Sequence, residues 1–226
     1  MKTLLTSIAA VAVAGALLAA QLGATTQDDA QKAARSEADQ AVIDAQLPSY
    51  PKMTCPVSDE PLEEPIDLVR DGRLIRVCCK GCVKKVDADA AAMIAKIDAA
   101  VVAEQGPSYP LKTCPVSGES AEGGVEFVHG TRLVRLCCKK CKAAFEKDPA
   151  PTMAKIDAAL IEAQRPNYKV DVCVVSGEKL GSMGEPIDVL YGTRLVRLCC
   201  KGCKKSVAKK GPELIAKLDA LAAAAK

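Results

Sequence analysis

The sequence predicts an α+β chain in which one small unit, a β-hairpin running into a helix, is repeated three times between amphipathic helices. Three observations predict it. Tyr50, Tyr109 and Tyr168 recur at an interval of 59 residues, as do Pro48, Pro107 and Pro166, Gln46, Gln105 and Gln164, and Cys55, Cys114 and Cys173. Each copy then shows two short strand-like runs leading into a tight group of three further cysteines. Each closes on an Ala-rich run whose apolar residues fall at helical spacing.

Composition narrows the possibilities. Against 226 residues the chain has six aromatic side chains, four Tyr and two Phe, and no Trp, too few for one large core. Twelve cysteines are the available substitute, because small units that bury little apolar area rely on disulfides or metals. The net charge is +3, from 31 basic and 28 acidic residues, which offers no broad basic face and argues against a nucleic-acid partner. A single His excludes repeated histidine chemistry. No acid, base or activated nucleophile recurs beside the cysteines, so the chain is not expected to be an enzyme.

The elements follow in order. Met1-Lys2-Thr3, an apolar run over residues 4–20 and a polar stretch from Thr25 have the form of a secretory signal peptide, taken as residues 1–24. The run is 17 residues long and rich in Ala, short for a membrane span of about 20. A membrane is a partner only if this segment stays uncleaved. Export places the protein in the periplasm or outside the cell, where cysteines pair unless a metal holds them. Residues 25–48 form an N-terminal helical segment, followed by cysteine modules with their helices at 49–106, 107–165 and 166–226.

Within a module the helix is expected to end at Gln-x-Pro, where the residue before proline is pushed out of the helical region. Ser49-Tyr50, Ser108-Tyr109 or Asn167-Tyr168 then leads to the first cysteine, in Cys55-Pro56-Val57-Ser58, Cys114-Pro115-Val116-Ser117 and Cys173-Val174-Val175-Ser176. Strands are predicted at Ile66–Arg70 and Arg73–Val77, joined by Asp71-Gly72, a strong hairpin signal. His129-Gly130 and Tyr191-Gly192 are assigned the same place, which makes His129 a turn residue and not a ligand. The closing helices carry Met93, Ile97 and Val101, then Met153, Ile156 and Leu160, then Leu214, Leu218 and Leu221 on one face, as core and not as a cofactor box. The third copy is three residues longer between Cys173 and Cys199, an insertion placed near residues 180–184.

The cysteines read C-x22-C-C-x2-C twice and C-x25-C-C-x2-C in the third copy. A first ligand on a turn before a hairpin, with others where the return strand meets a helix, is how zinc-ribbon and treble-clef units close a tetrahedral site. All twelve are candidate metal ligands: Cys55, Cys78, Cys79 and Cys82; Cys114, Cys137, Cys138 and Cys141; Cys173, Cys199, Cys200 and Cys203. Thiolate selects zinc or copper(I), up to three ions per chain. Two disulfides per copy compete with this reading, although adjacent cysteines form strained bridges. A redox pair at Cys79-x-x-Cys82 would need a parallel-sheet setting that the pattern lacks.

Cys55, Cys78 and Cys82 form a three-thiolate core, with Cys79 either a fourth ligand or a small buried residue. Such a core leaves a position open for uptake and release. Lys and Arg crowd the same strip, either lowering the thiol pKa or forming a solvated face, and Arg76, Arg135 and Arg197 are the candidates for a specific role.

Copy two, from Cys114-Pro115-Val116-Ser117-Gly118 through Cys137-Cys138-Lys139-Lys140-Cys141 to Phe145 and Asp148-Pro149, resembles the TRASH and YHS group of cysteine modules associated with heavy metals. The resemblance spans about 35 to 40 residues of each copy. It implies Cys55, Cys78 and Cys82, Cys114, Cys137 and Cys141, and Cys173, Cys199 and Cys203 as ligands. The chain departs from these relatives in Ser58, Ser117 and Ser176, where many carry another Cys, and in Val86 and Val207 opposite Phe145. With its longer loop, copy three is the one expected to have altered its site. The predicted role is metal buffering or trafficking with a donor or acceptor protein as possible partner; the alternative is a repeat scaffold that binds a partner protein.

Overall fold

The computed structural model describes residues 36–224, so the predicted signal peptide lies outside the described residues. Helix α1, Glu37–Gln46, starts on Ser36, whose Oγ accepts the Asp39 amide at 3.0 Å, and Glu37 and Asp39 face the positive end of its dipole. Strands β1 (Ile66–Arg70) and β2 (Arg73–Val77) form the first hairpin, and α2 (Lys80–Ala88) and α3 (Ala90–Gln105) follow. The second unit repeats this with β3 (Val125–His129), β4 (Arg132–Leu136), α4 (Lys139–Lys147) and α5 (Ala150–Gln164). The third has β5 (Ile187–Tyr191), β6 (Arg194–Leu198), a 3₁₀ turn at Lys201–Cys203 and α6 (Lys204–Ala224). The architecture is α+β, with hairpin-plus-helix units joined by shared helices. No helix among the described residues is long and apolar enough to cross a membrane.

Two sequence expectations are corrected at the ends of elements. Leu47, Gly106 and Arg165, each before a proline, keep helical dihedrals. The chain leaves the helix through a 3₁₀ turn instead, closed by the Tyr50 amide on the Leu47 carbonyl at 3.2 Å and its counterparts, and becomes extended only at the tyrosine. The hairpin turns are Asp71-Gly72, Gly130-Thr131 and Gly192-Thr193, because Arg70 pairs with Arg73, His129 with Arg132 and Tyr191 with Arg194. His129 is therefore a strand residue, packed edge-on against Phe145 with ring centroids 5.0 Å apart, and not part of the turn.

The repeated residues found in the sequence are structural pins. The Gln46 amide donates to the Gly72 carbonyl at 2.7 Å and accepts from the Leu74 amide at 2.9 Å, closing the free edge of β2 as an added strand would. Gln105 does the same at Thr131 and Leu133, and Gln164 at Thr193 and Leu195. In the Lys-Ile/Leu-Asp triplets the middle residue, Ile97, Ile156 or Leu218, is buried, while Asp98, Asp157 and Asp219 bind Arg73, Arg132 and Arg194.

The three apolar cores interlock. Ile75, Val77, Val86, Ile97 and Val101 form the first, together with Leu133 from the second hairpin. Leu190 of the third hairpin packs on the second core, built on Val134, Leu136, Phe145, Ile156 and Leu160. The tip of the third hairpin meets the end of α1: a Cβ on Gly192 would collide with the Pro48 carbonyl, so only glycine fits there. Thr131 donates to the Gln46 carbonyl at 2.6 Å and shares a bond of 2.7 Å with Ser49, tying the second tip to the same point.

Candidate metal centre

Each site grows from two local structures. The first is a knuckle: the Cys55 amide donates to the Glu60 carbonyl at 2.8 Å and the Asp59 amide returns to the Cys55 carbonyl at 2.9 Å. The residue four after the cysteine turns left-handed, with φ of 60° at Asp59, 83° at Gly118 and 80° at Gly177. From the long helix behind it, Lys96 donates to the Pro56 carbonyl at 2.7 Å, Lys155 to Pro115 at 2.6 Å and Lys217 to Val174 at 2.8 Å, which fixes the knuckle to the core. The second structure is the junction of return strand and helix, where Cys79, Cys138 and Cys200 are extended and the following helical turn carries Cys82, Cys141 or Cys203 inward.

These structures bring nine cysteines together in three triads, Cys55 with Cys78 and Cys82, Cys114 with Cys137 and Cys141, and Cys173 with Cys199 and Cys203. Within each triad the sulfurs lie within 4.8 Å of one another, a spacing that a single thiolate-bound ion spans. The third triad is as complete as the others, contrary to the expectation that copy three has altered its site; the longer loop falls after Lys179, so the knuckle's own bonds, Cys173 amide to Glu178 carbonyl and Gly177 amide to Cys173 carbonyl, are kept. Cys79, Cys138 and Cys200 sit beside the triads. Cys79 Sγ is 3.7 Å from Cys82 Sγ, Cys138 Sγ 3.6 Å from Cys137 Sγ and Cys200 Sγ 3.8 Å from Cys203 Sγ.

No two of the twelve cysteine sulfurs lie at bonding distance. Every sheet among the described residues is a two-stranded antiparallel hairpin, so the parallel sheet that a thioredoxin-type pair requires is absent among them.

Serine completes the inner face. Ser58 Oγ lies 3.2 Å from Cys78 Sγ, Ser117 Oγ 3.3 Å from Cys137 Sγ and Ser176 Oγ 3.3 Å from Cys199 Sγ. This contact and the lysine bonds to the knuckle are not predicted from the sequence; the signals that could have found them are the Ser at plus three from the first cysteine and the Lys that opens each Lys-Ile/Leu-Asp triplet, both present in every copy.

The electrostatics come from the backbone. Burial works to raise the thiol pKa of Cys55, yet the Ser58 hydroxyl and the amides of Cys78, Val57 and Ser58 outweigh it and bring Cys55 down to about 6. Cys114 and Cys173 are likewise held near 6, again against burial, by the amides around them. Cys82 is pushed up to about 12 by burial and by the neighbouring thiols, and Cys203 likewise; for Cys141 the Cys137 thiol contributes most. Cys79 is lowered, chiefly by the Cys82 amide.

Lys and Arg are not among the leading causes of these shifts, which favours the solvated face of the two readings of this basic strip. Arg76 binds Asp67 at 2.8 Å across the hairpin and lies over the Tyr50 ring at 5.8 Å, and Arg135 and Arg197 repeat this with Glu126 and Tyr109, and with Asp188 and Tyr168. The amides of these three arginines also donate to the tyrosine hydroxyls. Lys80, Lys84, Lys85, Lys139, Lys140, Lys201, Lys204 and Lys205 are exposed, a solvated face. Cys78 instead opens on a cleft lined by Glu60, Glu63 and Glu64, whose charge favours an approaching cation.

Comparisons with protein-family models, curated proteins and solved structures return no match, so chemistry and geometry carry the functional reading. The clusters are positioned to bind metal ions, up to three per chain.

Proposed function

We propose that the chain is a non-enzymatic carrier of zinc or copper(I), exported to the periplasm or beyond the cell, that buffers the ion or passes it to a donor or acceptor protein. The observation that carries this is the convergence of three sulfurs, within 4.8 Å of one another, three times in one chain. Thiolate sulfur selects soft ions, and three protein thiolates leave one position for an incoming ligand, as exchange requires. The likeness to TRASH and YHS modules agrees with a metal role. Export rests on the form of residues 1–24 in the sequence.

Carriage differs from a purely structural use of metal in what happens on removal. Each core holds branched aliphatic residues that pack without any ion, such as Ile75, Val77, Ile97 and Val101 in the first. Metal-loaded protein treated with a moderate chelator is expected to give up about three equivalents while its far-ultraviolet helical signal persists. Loss of helix in step with the metal would assign the ions to structure and favour a partner-binding scaffold. Protein from its native compartment that carries two disulfides per copy and no metal would end both uses of the sites.

A further inference from the structure

The fourth corner of each site has two contenders. Cys79, Cys138 and Cys200 come from the sequence; Ser58, Ser117 and Ser176 come from the structure. In the first copy the Ser58 hydroxyl lies 3.2 Å from Cys78 Sγ, and in the second Ser117 lies 3.3 Å from Cys137 Sγ, each at the middle thiol of its triad. Ser176 lies 3.3 Å from Cys199 Sγ. Cys79 Sγ lies 3.7 Å from Cys82 Sγ but falls outside the group of sulfurs that includes Cys55, and it is exposed where Cys55 and Cys82 are buried. Ser58 is carried on the same knuckle as Cys55, so the turn that places one ligand also aims the hydroxyl.

We propose that the Ser58, Ser117 and Ser176 hydroxyls face the fourth corner as hydrogen-bond donors to the thiolates and supply no charged fourth ligand, so that each site takes copper(I) in three-thiolate coordination in preference to zinc. This rests on the metal-binding reading above. Zinc in a closed site wants four charged or strongly basic ligands in a tetrahedron, and a neutral hydroxyl is a poor fourth. Copper(I) is soft and is satisfied by thiolates alone. Three thiolates around a monovalent ion leave a net charge of −2, one unit more negative than around zinc. The hydroxyl acts on that charge by donating its O–H to sulfur, beside the knuckle amides that point at Cys55. Serine is thus a positioning group for sulfur and a selectivity device for the ion.

The test uses the full chain, reduced and handled without oxygen, with cobalt(II), zinc(II) and copper(I) as probes. The wild type is expected to show cobalt charge-transfer intensity for three thiolates per ion. Ser58→Cys, Ser117→Cys and Ser176→Cys together should add a fourth and raise zinc affinity at least about tenfold while copper(I) affinity changes far less. Cys79→Ser, Cys138→Ser and Cys200→Ser together should leave the cobalt spectrum unchanged. A loss of intensity in that second variant, or no gain in the first while its helical signal is intact, would overturn the assignment. Ser117→Ala supplies a milder variant, expected to weaken copper(I) at site two by about tenfold; unaltered copper(I) affinity there would remove serine's role. A wild type that binds none of the three probes defeats the metal-binding reading itself, which is a separate result from a misassigned fourth corner.

Discussion

Position 59 shows how a single residue records the conformation that a site requires. The fourth residue after the first cysteine is left-handed in every copy, and two copies use Gly118 and Gly177 where the first uses Asp59 at φ 60°. Asp tolerates this region better than most side chains but still carries a Cβ that crowds the following carbonyl. Asp59→Gly is therefore expected to stabilise the first module, by about 1 kcal/mol against the entropy that glycine adds to the unfolded chain. Denaturant unfolding of the reduced chain, compared with the same change at Asp171, which is exposed and outside the left-handed region, measures it; a destabilised Asp59→Gly would show that its side chain does something the turn geometry does not reveal. The glycines are visible in the sequence as part of the repeat, and the serine beside them recurs as regularly, but its role is not legible there because recurrence does not say which atom a hydroxyl touches.

Elements were legible where their signal is periodic and blurred where it is a boundary. The hairpin strands Ile66–Arg70 and Arg73–Val77 lie where the alternation and the Asp71-Gly72 turn placed them. In the other copies the turn was set one residue too early, since a Gly preceded by His129 or Tyr191 resembles the second turn position. There the positive φ falls on Gly130 and Gly192 and the next residue is Thr, the order of a turn with glycine at its first central position. That register matters to packing, because it turns His129 and Phe127 onto Phe145, at centroid distances of 5.0 and 5.2 Å. Phe145 is 2 % exposed and is the one large aromatic of the second core, so Phe145→Ala is expected to cost about 3 kcal/mol or more. Thermal unfolding with and without bound metal separates the two contributions: a variant as stable as the wild type without metal would mean that the thiol cluster and not the ring organises this unit.

For the whole molecule, the sequence exposed three copies of a unit but not how the copies interlock, because contacts such as Gly192 against Pro48 and Leu133 inside the first core join residues far apart in the chain. That sharing makes the sites titrate in one folded body, and the thiol pKa directions then set the sign of its pH dependence. Cys55, Cys114 and Cys173 are lowered from 9.0 to about 6, so between these values the unfolded chain holds protons that the folded one has released. Stability of the reduced, metal-free protein should therefore rise from about pH 6 to about pH 9 and be lost again as pH falls back toward 6. Cys82, Cys141 and Cys203 are raised from 9.0 to about 12, so above pH 9 the folded chain is the one that keeps protons and stability should decline. The expected profile of melting temperature is a maximum near pH 9. Because ligands must shed these protons to bind, metal affinity should fall steeply as pH drops below the same range. Melting curves of the metal-free chain from pH 5 to 10, with free thiols counted at each point, check the first part and competition with a chelator of known proton affinity checks the second. A flat profile between pH 6 and 9 would mean that the knuckle amides do not hold the first cysteine of each copy as a thiolate.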